Sequence, residues 1–443
     1  MRLAGRVSAA IDVLTEIFDR HRPASEALKD WGKAHRFAGS TDRHAIGTLV
    51  YDALRRRNSL SFRMGSAAPR ALALAALRDV WGLSTDAIGS MAEEQHGPGK
   101  LTAEERTALA RELPADLPVD VAGDVPEWLV PSYEKAFGPR AAEEGAALAQ
   151  RAPVDLRVNV LKANRAQVLA ALDRFGAVAG PWSPLAVRIA APGPDTRNAN
   201  VEAEPAHGLG WFEVQDAGSQ VAALLSGVQP GMTVADICAG AGGKTLALAA
   251  MMKNEGELVA HDLDRFRLRP IFERLTRAGV ANCEVISAHD KGKLEAAGPF
   301  DTVVIDAPCS GSGSWRRKPD AKWRLTPKQF AQRIKDQAQV LEKGFQLAKP
   351  GGTILYITCS VLPEENTGQI AAFLSCHKEI RIVPYKEHWE RMIGGPVPES
   401  ADGAEDTLLL TPARHDTDGF FMAVMKKGCE GISFTGLAPL TVE

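Results

Sequence analysis

Two cysteines stand where a thiol could act as a reagent rather than as core filler. Cys309 lies in DAPCSGSG just past one strand-like run, and Cys359 lies in ITCS at the end of the next. A lone free cysteine usually packs as a small hydrophobe, but two at the ends of adjacent strands would face one crevice. Such a pair suits an electron-poor ring. Carbon 5 of cytosine is too weak a nucleophile to take a methyl group from a sulfonium directly. Thiolate addition at carbon 6 breaks aromaticity and loads carbon 5 with electron density, after which a base removes its hydrogen and the thiol leaves. An acid hydrogen-bonded to ring nitrogen 3 would ease the build-up of charge, a role open to Asp306. An ordinary thiol with a pKa near 8.5 is only a few per cent ionised at neutral pH, so a nearby cation is needed, and Lys244 is the candidate.

The loop that would hold a methyl donor follows the strand-like TVADIC. It comprises Cys238, Ala239, Gly240, Ala241, Gly242, Gly243 and Lys244, whose glycines permit a tight turn and close backbone approach before a helix. A P-loop would need glycine where Cys238 stands, and a dinucleotide GxGxxG would need it where Thr245 stands. Asp262, with Asp264 as competitor, ends the second strand-like run and could accept from ribose hydroxyls. Asp290 ends the third run and Asp306 the fourth. A glycine turn followed by three acids at successive strand ends points to an adenosine-containing ligand without a pyrophosphate.

These residues need a scaffold that collects strand ends. From about 211 the chain alternates strands with helices, including a long helix near 327–348, which predicts a parallel sheet covered on both faces with ligands at the carboxyl ends of its strands. Residues 127–205 read as a small α+β module of RRM or ferredoxin type. Residues 1–110 read as all-helical, with Val7, Ile11, Leu14, Ile17 and Phe18 at helical spacing. The Pro- and Asp-rich stretch 112–126 reads as a linker, and the chain after 428 as a loose tail.

The 443 residues carry a formal net charge of −3, which argues against indiscriminate coating of nucleic acid, yet the charge is uneven. Residues 1–78 hold 14 basic against 7 acidic side chains, and 316–335 hold eight basic against one acidic. Arg316, Arg317, Lys322 and Arg324, interleaved with Trp315 and Trp323, are expected to offer phosphates and unstacked bases a surface, which makes RNA the expected partner. The six cysteines show no metal-ligand spacing, so no metal is expected and the thiols are expected to be reduced. With no run apolar enough for a membrane helix and acids inside the first apolar stretch, a cytoplasmic monomer is expected.

Taken together, DICAGAGGKT, AHDLD, AHD, DAPCSGSGSWRRKPDAKWRL, ITCSVLPEEN and DGFFMAVMKK resemble the motifs of the NOL/NOP/Sun family of RNA cytosine-5 methyltransferases, in its bacterial Fmu/Sun branch acting on small-subunit ribosomal RNA. The resemblance spans about 125–428, and the first 110 residues resemble the NusB-like RNA-binding domain of that branch. It implies a Rossmann-like methyltransferase domain over 206–428 with S-adenosylmethionine held by Cys238–Lys244, Asp262, Asp290 and Asp306. It also implies that Cys359 is the nucleophile and that Cys309 assists elimination. Ala241 stands where the family usually has proline, a change that removes no functional group. The rival expectation is a catalytically silent RNA-binding or assembly factor that keeps the fold; the paired cysteines and the acids speak against it.

Overall fold

The computed structural model describes residues 1–428 apart from 194, 195, 197, 198 and 291, so Cys429 and the expected tail lie outside the described residues. The chain divides into two compact units. The first holds Met1–Pro153 together with Ala191–Asn198 and Gly313–Thr326, and the second holds Val154–Ala190, Ala199–Ser312 and the described chain from Pro327 onward.

The first unit is helical. Its opening helix, Leu3–Arg20, buries Val7, Leu14 and Ile17 and half-buries Ile11 and Phe18, as their spacing requires. Helices Ser40–Arg55 and Pro69–Asp79 pack on it through Ile46, Leu49, Leu72 and Leu74. The stretch 112–126 is more than a linker. Asn58 Nδ2 donates to Asp120 O at 3.0 Å and Val125 O at 2.9 Å, and Ser59 N–H and Oγ–H both donate to the Asp124 carboxylate. These bonds tie the stretch to the helices, so this unit extends through helices Val130–Phe137 and Ala141–Leu148 instead of stopping near 110.

The second unit contains two sheets. A four-stranded antiparallel one orders β1 (Val154–Val158), β2 (Val178–Ala179), β3 (Ala186–Ile189) and β4 (Phe212–Val214) as β2-β3-β1-β4. Because β4 pairs with β1 from Leu156↔Val214 to Val158↔Phe212, the small module reaches past 205. The larger sheet contains β5 (Thr233–Asp236), β6 (Glu257–Asp262), β7 (Cys283–Ser287), β8 (Phe300–Asp306), β9 (Ala348–Thr358), β10 (Ile380–Val383), β11 (Leu408–Leu410) and β12 (Phe420–Lys427). Its order is β10-β12-β9-β8-β5-β6-β7, with β11 on β12. Strands β5 to β9 run parallel, and the order reverses between β5 and β8. Val303, Val304, Ile305 and Ile354 to Ile357 are buried, as strands covered on both faces must be. The carboxyl ends at such a reversal form the crevice where ligands bind in this class of sheet.

The segment Gly313–Thr326 leaves the sheet after β8 and belongs to the helical unit. Lys322 is buried there, donating to Arg55 O at 3.0 Å and Asp124 O at 2.6 Å, and burial lowers its pKa to about 8. Trp323 Nε1 donates to Leu54 O at 2.6 Å, and Arg316 O accepts from Arg55 Nε at 2.9 Å. Lys322→Met should therefore destabilise the protein by about 1–3 kcal/mol, because two buried carbonyls lose their donor. Lys33→Ala, which removes only an exposed pair with Asp30, should cost less than about 0.5 kcal/mol. Denaturant unfolding of both variants measures the contrast, and equal losses would contradict the burial argument.

Candidate active site

The parallel pairing of β8 with β9 aligns Asp306 with Ile357, and Ala307 N–H extends the ladder to Ile357 O at 2.9 Å. The chain then leaves both strands at the same level. Cys309 sits three residues beyond Asp306 and Cys359 one beyond Thr358, with their Sγ atoms 3.4 Å apart. That is a thiol contact, well outside the roughly 2.05 Å of a disulfide. Both side chains are partly exposed. The hydrogen bond between the thiols and their burial raise the Cys309 pKa well above that of a free thiol. Cys309 is thereby the partner that keeps its proton.

A buried hydroxyl and carboxyl network holds the two cysteine loops in register. Glu365 accepts from Ser310 N–H at 2.8 Å, from Ser310 Oγ–H and from Gln337 Nε2 at 2.9 Å, fixing the residue next to Cys309. Ser312 Oγ lies 2.9 Å from Ser360 Oγ and accepts from Val361 N–H at 2.9 Å. Thr358 Oγ1 donates to Asn366 Oδ1 at 2.6 Å, and Asn366 Nδ2 donates to Ser360 O at 2.9 Å. Burial raises the Glu365 pKa. None of these residues was expected from sequence. The only signal was the polar run PEEN so close behind Cys359.

The glycine loop lies at the ends of β5 and β6. Gly240 (φ 52°) and Gly242 (φ 86°) adopt left-handed backbone, and a Cβ on Gly242 would meet Ile271 Cγ1 at 2.5 Å, so only glycine fits. Ala239 N–H donates to His261 O at 2.9 Å, and Ala241 O accepts from Arg274 Nη1 at 2.8 Å. Asp262 accepts from Gly240 N–H and Asp264 N–H, both at 2.8 Å, which locks this loop to the end of β6. Asp264, its sequence competitor, instead caps the short helix Arg265–Leu268. Asp290 accepts from Ser287 N–H and Oγ–H and pairs with Lys293 at 3.1 Å, closing the turn after β7. Cys238 is largely buried, and its thiol pKa is raised by that burial and by Asp236, Asp306 and Asp262.

Lys244 opens the helix Gly243–Met251 with its ammonium buried. Its Nζ donates to Asp306 Oδ2 at 2.8 Å and to Ser219 Oγ at 3.2 Å, and it lies 5.2 Å from the Phe420 ring centroid. The cation expected to serve the thiols is thus the direct partner of Asp306, whose carboxylate stays one-third exposed at the end of β8. Asp236, at the end of β5, is fully buried and accepts from Thr245 Oγ1–H at 2.7 Å.

The four expected RNA-binding cations belong to the other unit. Arg316 and Lys322 are buried within it, so neither offers its charge to solvent. Arg317 is exposed but donates to Pro153 O at 2.9 Å, and Arg324 pairs with Asp320 at 3.0 Å. Lys322 and Trp323 secure the segment to the helices and Trp315 is buried, which corrects the expectation of an open basic and aromatic surface. No helix among the described residues is long and apolar enough to cross a membrane, and among them no cluster of three or more His, Cys, Asp or Glu could hold a metal.

With this geometry in hand, comparison with known proteins is specific. Residues 223–426 match the model of the 16S rRNA methyltransferase RsmB/F family, and 125–195 match the ferredoxin-like domain of RsmF/B-like methyltransferases. The chain belongs to the RsmB/F methyltransferase family. The cofactor of this family is S-adenosylmethionine. A probable ribosomal RNA small subunit methyltransferase B of Synechocystis is 31% identical over 68% of the chain and 66% of its own length. Ribosomal RNA small subunit methyltransferase B of Sodalis glossinidius is 36% identical over 61% and 58%. The chain thus spans less than two thirds of the length of these curated relatives. A solved methyltransferase homolog from Pyrococcus horikoshii, 28% identical, covers 70% of the chain and 97% of its own with a TM-score of 0.57. The structure of PH0851, at 24% identity, shares the fold over 96% of the chain and 100% of its own with a TM-score of 0.70.

One buried acid yields a pH signature. Burial raises the Asp236 pKa from 3.8 to about 7 against the opposing Thr245 hydrogen bond. The folded protein then holds a proton that the unfolded chain releases. This contribution to stability is fully present below pH 3.8 and is lost as pH rises through about 7. Asp236→Asn, whose amide oxygen can still accept from Thr245, removes the titration. Between pH 5 and pH 8 the variant should gain about 2–4 kcal/mol relative to wild type in denaturant unfolding, and a pH-independent difference would contradict the assignment.

Proposed function

We propose that this protein methylates carbon 5 of a cytosine in RNA, ribosomal RNA of the small subunit being the substrate class its relatives name. The observation that carries the reading is the pair of partly exposed thiols 3.4 Å apart at neighbouring strand ends. An O- or N-methyl transfer would leave both sulfurs without a task, whereas addition to and release from a pyrimidine ring uses each.

The residues present fit S-adenosylmethionine. Gly240 and Gly242 give the loop its left-handed turn, with Gly242 packed directly on Ile271, Asp262 can accept from ribose hydroxyls beside its two backbone donors, and Thr245 stands where a pyrophosphate-binding glycine would be needed. Asp290, tied to the turn after β7, bounds the same row of strand ends. When bound, the cofactor supplies an electrophilic methyl group. The Cys359 thiolate adds to carbon 6 of the cytosine, and carbon 5 takes the methyl. A base then removes the carbon 5 hydrogen, and the carbon 6–sulfur bond breaks to return the thiolate. Cys309, held protonated beside the leaving sulfur, assists that elimination. Asp306, held in place by the Lys244 ammonium, faces the nitrogen 3 edge of the ring and accepts from the amino group on carbon 4.

The test is methyl transfer to RNA made by transcription, followed by denaturing gel analysis of cysteine variants. Cys359→Ala should lose transfer by more than about a thousandfold and form no covalent RNA adduct. Cys309→Ala should lose turnover but accumulate an adduct that survives denaturation. The opposite pattern would reverse the two roles, and unimpaired transfer by Cys359→Ala would remove the thiol mechanism.

A further inference from the structure

The strands that deliver the thiols at their carboxyl ends frame a cavity of about 730 Å³ at their other ends. Its wall includes Thr302 near the start of β8, Thr353 midway along β9, Arg381 on β10, Lys426 on β12 and Arg391 on the helix Tyr385–Met392. From Thr302 to Asp306 is four residues, about 13 Å of strand, so this is a different site from the thiol crevice.

The sheet register lines up its cations. Arg381 pairs with Lys426, Lys426 with Thr353, and Thr353 with Thr302, so these side chains share one face in a single row. Like charges directly opposite each other on neighbouring strands repel. The other lysine of the cavity, Lys349, is neutralised by Asp301 at 2.8 Å. Arg381 and Lys426 have no ion-pair partner among the described residues. His388 records the resulting field. Its Nδ1 lies 2.9 Å from Leu225 O and its Nε2 lies 3.5 Å from Arg391 Nη2, and its pKa is lowered by burial and then by Arg391, with a smaller push from Lys426, against the opposing Leu225 carbonyl and Glu387. Arg381 and Arg391 are exposed and Lys426 is half-buried, so the cavity presents a positive face, with Glu387 as the lining acid not engaged by a lysine, that an entering anion would neutralise.

We infer that this cavity is a second ligand site, which binds a phosphate group through Arg381, Lys426 and Arg391. Clustered guanidinium and ammonium donors suit the several acceptor oxygens and charge of a phosphate. The phosphate can be carried by the RNA substrate, a source that rests on the function proposed above, or by a free phosphate compound.

Two measurements on the full chain separate these sources, each comparing wild type with the double variant Arg381→Ala, Lys426→Ala. In the first, thermal unfolding is followed with sodium phosphate against sodium chloride at equal ionic strength. Phosphate should raise the wild-type midpoint above that in chloride and leave the double variant unmoved. In the second, affinity for a small-subunit ribosomal RNA transcript is measured against salt. Loss of two phosphate contacts should weaken binding about 5- to 50-fold at low salt and flatten the logarithmic salt slope by about 1–2, with S-adenosylmethionine affinity unchanged.

A changed RNA slope assigns the phosphate to RNA, whereas a phosphate-specific stabilisation with unchanged RNA binding assigns it to a free compound. No difference between wild type and variant in either measurement overturns the site. Wild type that binds no RNA would defeat the proposed function, while the unfolding comparison would still judge the cavity. Should the double variant fold poorly, Arg391→Ala, on a separate element, repeats both measurements.

Discussion

The chemistry depends on the register in which β8 and β9 pair. In a parallel ladder a slip of one residue turns every side chain to the opposite face. Here Thr302 to Asp306 lie beside Thr353 to Ile357, and both chains exit at the same level. The sulfur separation is therefore set by backbone hydrogen bonds inside a buried sheet, the stiffest part of the molecule. What remains to fix is the path of two short loops, and that falls to Glu365, Ser310, Ser312, Ser360 and Asn366. Each buried polar group in this set is satisfied by another loop residue, so the network is stable only when both loops are in place together.

Electrostatics at the crevice follows from how deeply each charge is set. Asp236 is sealed beneath the glycine loop and is driven toward its neutral form, chiefly by burial. Asp306, one strand over, reaches the surface and is held by the Lys244 ammonium, which is itself buried against Ser219 and Phe420. The two thiols divide in the same way. Their shared hydrogen bond and burial stabilise the proton on Cys309, as the proposed division of labour requires.

Legibility in the sequence tracked how local each determinant is. The Gly240–Gly243 turn, the acids at strand ends and the alternation of strands with helices are short-range patterns, and each could be read from neighbouring residues. The closeness of Cys309 and Cys359 required only the assumption that consecutive strands are neighbours. Lys322 and Arg316 misled because a run of basic and aromatic residues looks alike whether it meets solvent or is threaded into a helical core. Their partners, Arg55 and Asp124, are about two hundred or more residues away in the chain. Separations of 62 to 67 residues likewise hid the tie of 120–125 to Asn58 and Ser59 in the helical unit. Glu365 was overlooked because one glutamate in a turn carries no pattern. Its role exists only once Gln337 and Ser310 are folded against it.

The most direct measurement offers the wild-type protein, with S-adenosylmethionine, an RNA substrate in which cytosine is replaced by 5-fluorocytosine. Fluorine at carbon 5 cannot leave as a proton does, so elimination stalls after methyl transfer and the enzyme stays bonded to the ring. The account predicts a denaturation-resistant complex whose cross-linked peptide, identified by mass spectrometry, contains Cys359. A link at Cys309, or turnover of ordinary RNA with no trapped complex, would contradict it.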